Sequence, residues 1–336
     1  MKNKMNMKKI FSLGAIALVF LFGWFVFREQ KQVIVSEKPA MTKVGVSFIT
    51  SMEAISDFNK GLAVGFKTAG YEEGKNFLLD SQNAQGDSNV NLAIAQKFAD
   101  GDYDLIIPVT TPSSQAVVNV IKDKPVVFSA VADPVSAGLV KSENGSGTNV
   151  TGMKEAVLFQ QSLEVVKKIL PNAKAIGVIY NPGEANSTFS IDQLKKISSS
   201  LGVEIVVAPA TNTNEISSAA RSISNKVDAF LMIGDNTVLS GQESLIKTTI
   251  DLKKPLVSYE QTGVQKGAIA AFGVNYEKVG EHTAELAVRV LHGEKPGDIA
   301  VTSATDANLF LNKATAKILG IELSGELVSQ AKQIYE

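Results

Sequence analysis

Val44-Gly45-Val46 opens an apolar segment that Gly70 closes, and Ile176-Gly177-Val178 opens a second segment that Gly202 closes. Two further pairs of segments repeat in the same order: Tyr103–Ile107 with Val227–Leu231, and Lys124–Val127 with Lys254–Val257. A repeat of about 130 residues, the length of a domain, indicates two related lobes rather than a solenoid of small units. Two such lobes in one chain predict a cleft between them.

Both halves of the chain alternate apolar strands with helical patterns. Strands rich in Val, Ile and Leu that alternate with helices are typical of parallel sheets covered on both faces. The sequence therefore predicts an α/β fold of two doubly wound, Rossmann-like lobes. The strands expected in the first half are Val44–Ile49, Phe77–Gln82, Leu105–Val109 and Val126–Ala130, and those in the second are Ala175–Tyr180, Glu204–Ala208, Ala229–Ile233 and Leu256–Ser258.

One further strand, Ala268–Val274, and the helix Tyr276–Leu291 follow the second copy. We expect both to return to the first lobe, and Leu309–Leu311 with the final helices to complete the second. The chain would then cross between the lobes about three times, and these crossovers would act as a hinge. The expected limits are residues 43–133 plus 264–300 for lobe 1 and residues 134–263 plus 301–336 for lobe 2.

The N-terminal segment has the pattern of a membrane signal. Four lysines, at positions 2, 4, 8 and 9, precede an apolar run from Ile10 to Phe27, and Arg28 follows it. A helix of that run rises about 27 Å, close to the hydrocarbon thickness of about 30 Å. Its aromatic end, without a small-residue cleavage pattern, favours an uncleaved anchor over a cleaved signal peptide. Residues 1–28 are thus an anchor or signal segment, 29–42 a linker, and the lysines place the remainder outside the cytoplasm.

Composition excludes several classes of function. A formal net charge of -1 gives no basic excess for binding nucleic acid. The chain has no cysteine, so disulfides, thiol nucleophiles and a lipid-modified cysteine are excluded. His282 and His292 are the only imidazoles, and no close group of acids suggests a metal site. We therefore predict no metal and no cofactor.

The repeat also predicts where a ligand binds. In open parallel sheets ligands bind beyond the carboxyl ends of the strands. The loops in these positions form three facing pairs across the cleft: Thr50–Glu53 with Pro182–Ala185, Thr110–Ser114 with Gly234–Val238, and Ala130–Asp133 with Tyr259–Thr262.

The loop before the third helix predicts an anion site. Thr111-Pro112 begins a helix and leaves the N–H groups of Ser113 and Ser114, next to Gln115, directed off its end. Such a helix end suits a carboxylate or phosphate. The alternative is a plain N-cap.

The equivalent loop of the second half begins its helix with an acid, Asp235, followed by Asn236. A donor site in one lobe and an acid in the other would fit the two ends of an α-amino acid. The alternative is that Asp235 only caps its own helix.

Four further positions have two interpretations each. Glu184 and Asn186 either bind a polar ligand or belong to a Pro-Gly turn and its cap. Asp133 is either a ligand group or part of the hinge turn. Phe48, near a strand end, either stacks on an aromatic ligand or belongs to the core.

Several ordered segments together resemble one family, the ABC transporter substrate-binding proteins of the tryptophan/tyrosine-binding type. The likeness runs from about Lys43 to Ile321, and the segments that carry it are NAQGD (Asn83–Asp87), TPSSQA (Thr111–Ala116), PVVFSAVADPVSAGLVKS (Pro125–Ser142), NVTG (Asn149–Gly152), ILPNAKAIGVIYNPGEANS (Ile169–Ser187), VDAFLMIGDNT (Val227–Thr237) and VLHGEKPGDIAV (Val290–Val301).

This resemblance implies a type I periplasmic-binding-protein fold whose lobes close on a small ligand, an amino acid. It implies delivery of that ligand to a membrane permease driven by a cytoplasmic ATPase. It also implies that the helix start takes the ligand carboxylate and that the Asp-Asn pair takes its ammonium. These roles would belong to Thr111, Ser113, Ser114, Gln115, Asp235 and Asn236.

The loop after the first strand departs from the family pattern. Aromatic-amino-acid binders of this type carry Gln, His and Pro there, whereas this chain reads Ser47-Phe48-Ile49-Thr50-Ser51-Met52-Glu53. Met52 and Phe48 would line an apolar pocket, and Glu53 would instead select a polar or cationic ligand. The general class is therefore predicted, and the specific ligand stays open.

Other classes fit the sequence less well. A LacI-type repressor shares the two-lobe fold but begins with a helix-turn-helix. An enzyme is not favoured, because no Ser/His/Asp arrangement and no Gly-rich phosphate loop is present. We expect an extracytoplasmic substrate-binding component of an ABC importer. The alternative is a ligand-sensing ectodomain that works with a membrane signalling partner.

Overall fold

The computed structural model describes residues 41–51, 53–156, 158–303 and 306–336, and of residue 53 only the backbone. The predicted anchor or signal segment at 1–28 and nearly all of the linker at 29–42 lie outside the described residues. Within the described part of the chain, no helix is both long enough and apolar enough to cross a bilayer.

The first sheet has six strands, and all of its neighbours pair in parallel. Its strands are β1 Thr42–Phe48, β2 Phe77–Asn83, β3 Leu105–Val109, β4 Val126–Val131, β5 Val150–Lys154 and β11 Thr302–Ser303. Their order is β11-β5-β4-β3-β1-β2. The helices that pack on this sheet are α1 Glu53–Thr68, α2 Ser88–Asp100, α3 Thr111–Val120 and α10 Tyr276–Leu291. We call this sheet and its helices lobe 1.

The second sheet has seven strands: β6 Ala175–Tyr180, β7 Glu204–Pro209, β8 Ala229–Leu231, β9 Leu256–Ser258, β10 Ala270–Val274, β12 Ala307–Asn312 and β13 Ala331–Tyr335. Their order is β13-β12-β10-β9-β8-β6-β7, and only the β10–β12 pair is antiparallel. The accompanying helices are α4 Phe159–Ile169, α5 Ala185–Ser200, α6 Ile216–Ile223, α7 Asn236–Ser240, α8 Gln242–Asp251, α9 Gln261–Gln265, α11 Lys313–Leu319 and α12 Gly325–Gln330. Short 3-10 turns occur at Thr213–Glu215, Ser224–Lys226 and Pro296–Asp298. We call this unit lobe 2.

The predicted fold class is confirmed, and the repeated glycines have a common packing reason. A Cβ on Gly45 in β1 would lie 3.1 Å from the ring of Phe98, and one on Gly177 in β6 would lie 2.8 Å from the ring of Phe230. In each lobe an aromatic ring packs directly on the backbone of the first strand. A Cβ at either position would therefore press on an aromatic ring, more severely at Gly177 than at Gly45.

Three strands lie in a different lobe from the one we predicted. Ala268–Val274 was expected to return to lobe 1, but β10 lies in lobe 2, where Ala270 is opposite both Val257 and Leu311. Residues 134–263 were expected in lobe 2, but β5 pairs with β4 in lobe 1. Residues 301–336 were expected in lobe 2, but β11 pairs with β5 in lobe 1. Each copy has a fifth strand before the chain leaves its sheet. The sequence-based alignment matched only four strands per copy, so it placed the first two crossings one strand too early.

The chain passes between the two sheets after β5, after β10 and after β11. Helix α10 packs on α1 in lobe 1, and β12, which contains Leu309–Leu311, lies in lobe 2. Both placements agree with the sequence-based expectation.

Helices α1 and α10 approach each other closely through glycine. A Cβ on Gly61 would lie 1.8 Å from the carbonyl oxygen of Glu277, and a Cβ on Gly280 would lie 2.1 Å from that of Phe58. Neither distance leaves room for a side chain, so backbone packs on backbone. This contact fixes the start of α10, where Tyr276 lies.

Candidate functional site

A cavity lies between the two lobes, at the carboxyl ends of the strands. It contains about 450 Å³ of empty space, part of it open to solvent, and the space that admits the centre of a water-sized sphere is about 20 Å³. Its described lining residues are Ala54, Ile55, Phe58, Val109, Thr110, Thr111, Ala130, Glu155, Asn186, Gly234, Asn236, Leu239 and Tyr276.

The lobe 1 wall contains a strained threonine at the start of α3. Thr110 has φ 71° and ψ 164°, which is unusual for a β-branched residue. Strain of this kind is often found at functional sites. The hydroxyls of Thr110 and Thr111 are buried and make no hydrogen bond. The first-turn N–H groups of a helix have no partner within the helix, so this wall offers several groups to a ligand.

The next three polar side chains of α3, those of Ser113, Ser114 and Gln115, bond within lobe 1. The Ser113 hydroxyl donates to Asn91 Oδ1 at 3.4 Å, and the Ser114 hydroxyl donates to the Thr110 carbonyl at 2.8 Å. Gln115 Nε2 donates to the carbonyl of residue 137 at 3.1 Å. None of the three lines the cavity. Their side chains hold the start of α3 in place.

Asn186 is the polar residue of lobe 2 with an unused atom at the cavity. It lies in the first turn of α5 and is 4% exposed. Its Nδ2 donates to the Gly234 carbonyl at 2.7 Å, while its Oδ1 is buried without a partner. An acceptor is therefore available on this wall.

Glu184 binds the first turn of α7. Its Oε1 accepts from the Thr237 N–H at 3.0 Å and hydroxyl at 2.8 Å. Its Oε2 accepts from the Asn236 N–H at 3.0 Å and from Asn236 Nδ2 at 2.7 Å. Both carboxylate oxygens are thus occupied within lobe 2, and Asn236, which lines the cavity, is held by them.

Asp235 is fully buried and caps α7. Its Oδ1 accepts from the Val238 N–H at 2.8 Å, and its Oδ2 accepts from the Asn181 N–H at 2.6 Å and the Ser187 hydroxyl at 2.7 Å. Burial, with the nearby Glu184 carboxylate, raises the pKa of Asp235 to about 6. It does not line the cavity. The geometry matches the capping alternative.

Of the three remaining sequence-predicted positions, Asp133 and Phe48 do not belong to the described lining of the cavity. Asp133 accepts from the N–H groups of Val135 and Ser136, both at 2.9 Å, and so forms a turn. Phe48 is 2% exposed and packs edge-to-face on Phe58, with ring centroids 6.1 Å apart. Met52 lies outside the described residues.

Sequence reasoning missed an acid at the first crossing between the lobes. Glu155 directly follows β5 and lines the cavity. The Tyr276 hydroxyl donates to Glu155 Oε1 at 3.4 Å, and the Tyr259 hydroxyl also bonds to this carboxyl. Burial raises the pKa of Glu155 to about 7; the two tyrosines oppose the shift and the Glu260 carboxylate adds to it. Had β5 been assigned to lobe 1, the rule that ligands bind beyond strand ends would have identified Glu155.

Gly234 lets the Glu155 group reach lobe 2. A Cβ at this position would lie 3.0 Å from Glu155 Oε2 and 3.2 Å from the Tyr259 hydroxyl. The absent side chain leaves space that these two groups occupy. Glu155 therefore lies between the first crossing segment and the lobe 2 wall.

The two lobes touch each other at Thr50 and Ser240. The hydroxyl oxygens of Thr50 in lobe 1 and Ser240 in lobe 2 are 2.9 Å apart. A hydrogen bond between side chains 190 positions apart requires the lobes to be close together. Among residues 41–336 as far as they are described, no group of three or more acids and histidines is arranged to hold a metal ion.

Comparison with known proteins gives a consistent result. A family model described as ABC transporter substrate binding protein matches residues 43–335. A protein named tyrosine-binding protein, from Clostridioides difficile strain R20291, is 36% identical over 290 residues, which is 86% of this chain and 84% of that protein.

Two solved structures are similar over 88% of this chain. One is an ABC domain from Streptococcus pneumoniae in complex with L-Trp, at 29% identity and TM-score 0.85, covering 100% of that chain. The other is the ligand-free, open structure of CD0873, a Clostridium difficile substrate binding protein with adhesive properties, at 36% identity and TM-score 0.68, covering 99% of that chain. More distant solute-binding proteins share the type I periplasmic-binding-protein fold.

Proposed function

The chain belongs to the ABC transporter substrate binding protein family, and we propose that it is the extracytoplasmic binding component of an amino-acid importer. The family consists of ligand-binding transport components rather than enzymes, and its members work outside the cytoplasm. The observation that carries the proposal is the cavity between the lobes, where buried oxygen atoms of Thr110, Thr111 and Asn186 have no partner. Unpaired buried polar atoms are costly unless a ligand or water bonds to them.

The proposed ligand is an aromatic amino acid. Five large aliphatic or aromatic side chains give the cavity an apolar wall: Ile55, Phe58, Val109, Leu239 and Tyr276. An apolar wall with a few polar groups is typical of a site for a mainly apolar ligand. The names of two similar proteins, one tyrosine-binding and one in complex with L-Trp, support this class.

The carboxylate of the ligand would bind at the start of α3. Thr110 and Thr111 present unpaired hydroxyls there, and the positive end of the helix dipole favours an anion. In this proposal Ser113, Ser114 and Gln115 position the helix start rather than contact the ligand, because their side chains bond within lobe 1.

Transport would proceed by closure of the lobes. The TM-score is lower against the open CD0873 structure than against the L-Trp complex, although CD0873 is more identical in sequence. Together with the Thr50–Ser240 contact, this supports a closed arrangement in this chain. A ligand that touches both lobes would favour closure by its differential contacts. A permease and its ATPase would then accept the closed form, while residues 10–27 anchor the protein in the membrane or are cleaved as a signal.

Isothermal titration calorimetry of the full chain in detergent, with each of the twenty amino acids, tests the proposal. We expect at least one aromatic amino acid to bind with a Kd of about 1 μM or below, near −8 kcal/mol. Thr111→Val should weaken that binding, because it removes a donor at the carboxylate end. If none of the twenty binds, the proposed function is wrong.

A further inference from the structure

We propose that Glu155 binds the ammonium group of the ligand. The proposal rests on the proposed function, in that an amino acid occupies the inter-lobe cavity. Glu155 is the only lining residue, among those that the structure describes, whose side chain carries a formal charge. A ligand with a cationic nitrogen would therefore find one counter-charge on the described wall.

The surroundings of Glu155 lack a cation of the protein. Within the described part of the chain, no Lys, Arg or His forms an ion pair with it, and its hydrogen-bond partners are the neutral hydroxyls of Tyr259 and Tyr276. Its charged neighbour is another acid, Glu260. An ionised carboxylate in such a place is costly unless a positive charge comes close. A ligand ammonium supplies that charge.

Asn186 gives an independent indication of the same ligand group. Its Oδ1 is an acceptor, buried within a residue that is 4% exposed, and it has no partner in the described structure. An ammonium has three N–H donors and no acceptor. Glu155 and Asn186 Oδ1 together present acceptors, whereas Thr111, 1% exposed with an unpaired hydroxyl, and the start of α3 present donors. The cavity thus has one wall for each end of an α-amino acid.

Asp235 is the acid that the sequence placed in this role, and its contacts differ from those of Glu155. Its two oxygens accept three hydrogen bonds from lobe 2, and it does not line the cavity. Glu184 is similarly occupied by four bonds to Asn236 and Thr237. Glu155 accepts bonds from tyrosines alone, so it retains capacity for a ligand.

The position of Glu155 also links ligand binding to closure. It follows β5, where the chain first leaves lobe 1, and Gly234 of lobe 2 leaves space for its Oε2. An ammonium bound there would contact the crossing segment and the lobe 2 wall together. The ligand would then favour the arrangement in which these groups are close.

The experiment compares two ligands with two proteins by calorimetry on the full chain. The ligands are the aromatic amino acid that binds wild type and its desamino analogue, such as tyrosine and 3-(4-hydroxyphenyl)propanoate. We expect wild type to prefer the amino acid by about 100-fold, the size typical for removing one partner of a buried charge pair. Glu155→Gln should lose about 100-fold on the amino acid and change the analogue less than about threefold. Glu285→Gln, an exposed acid on α10, is the matched control and should behave as wild type.

Three outcomes have distinct meanings. If wild type binds an amino acid and Glu155→Gln binds it equally well, Glu155 is not the ammonium acceptor, while the proposed function stands. If wild type binds the desamino analogue as tightly as the amino acid, the proposal also falls, and this measurement does not depend on the variant folding. If wild type binds no amino acid, the proposed function itself falls.

Discussion

The carboxyl groups of Glu184, Asp235 and Glu155 lie near the cavity and have different hydrogen-bond partners. Their roles differ for that reason. Glu184 and Asp235 accept bonds from backbone N–H groups and hydroxyls of lobe 2. Glu155 accepts only from tyrosine hydroxyls beside another acid. The first two carboxyl groups therefore stabilise the loops around α7, and the third is available to a ligand.

Ligand affinity should depend on pH through Glu155. Burial raises its pKa to about 7 in the empty cavity, and a bound ammonium would lower it, so binding below pH 7 must release a proton. Affinity should then be constant just above pH 7 and fall by up to about tenfold per pH unit below it, until the pKa of the complex is reached. The groups facing Glu155 are Tyr259, Tyr276 and Glu260, and burial raises the pKa of both tyrosines well above 10, so they stay neutral.

Calorimetry between about pH 5.5 and pH 8, in buffers with different ionisation enthalpies, measures both the affinity and the proton release. Glu155→Gln should lose most of the slope. An unchanged slope in that variant would assign the pH dependence to another group, such as the buried Asp235.

Removal of Asp235 should reduce stability. Asp235→Ala leaves buried donors on Asn181, Ser187 and Val238 without an acceptor, which costs about 1–3 kcal/mol for each donor that stays unpaired. We expect the free energy of unfolding to fall by about 3 kcal/mol or more in urea titrations. Thr111→Val is the contrasting variant: its hydroxyl has no partner, so stability should change by less than about 1 kcal/mol. Equal losses in the two variants would contradict this assignment.

At the scale of elements, the contact between α1 and α10 sets the position of the cavity. Backbone packs on backbone at Gly61 and Gly280, and Tyr276 at the start of α10 reaches the cavity. Phe58 of α1 lines the same cavity. A change in the packing of these two helices would therefore displace Phe58 and Tyr276 in the wall of the cavity.

Gly280→Ala should destabilise the protein, although alanine is the better helix former by about 1 kcal/mol. Its Cβ would lie 2.1 Å from the Phe58 carbonyl oxygen, so the helices must separate. We expect a loss of about 2 kcal/mol or more by chemical denaturation. Gly325→Ala, at the start of α12, is the matched control because its Cβ meets nothing within 4 Å. That variant should be neutral or slightly stabilising, and a similar loss at both positions would exclude the steric explanation.

Strand assignment was the weakest part of the sequence-based prediction at this scale. The apolar runs and the approximate bounds of β1, β3, β6 and β12 were predictable, because side-chain periodicity is a local property. The sheet that β5 or β10 joins was not predictable in the same way, because each strand is only five residues long and nothing in its local sequence distinguishes the two sheets. The chain segment before each strand determines which sheet the strand can reach. Here β5 pairs with the preceding strand β4, and β10 pairs with the preceding strand β9.

At the scale of the whole molecule, Thr50 of lobe 1 and Ser240 of lobe 2 lie in contact. The chain contains no cysteine, so a pair of introduced cysteines has no competing partner. Thr50→Cys combined with Ser240→Cys should form a disulfide, since the two hydroxyl oxygens are 2.9 Å apart. The disulfide would hold the lobes closed.

Oxidation of this double variant with ligand bound should slow ligand dissociation by about tenfold or more, since affinity changes at a fixed site act mainly on the off-rate. Stopped-flow displacement measures the rate, and a reductant should restore it. Each single cysteine variant serves as the control and should release ligand at the wild-type rate. Rapid release from the fully oxidised double variant would show that the Thr50–Ser240 contact does not close the exit.

The sequence by itself determined the duplicated α/β fold, the family, and the helix start at Thr111 that forms one wall of the cavity. These features follow from residues close together in the chain: apolar periodicity, a proline after a threonine, and ordered motifs. Only the tertiary structure decided which acid faces the cavity. Asp235 bonds to Asn181, 54 positions away, and Glu184 to Asn236, 52 positions away, whereas Glu155 reaches the cavity because β5 joins the first sheet. A carboxylate becomes a helix cap or a ligand-binding group according to the hydrogen-bond donors that folding brings close to it. The spacing of residues along the sequence does not give the distances between such donors and the carboxylate.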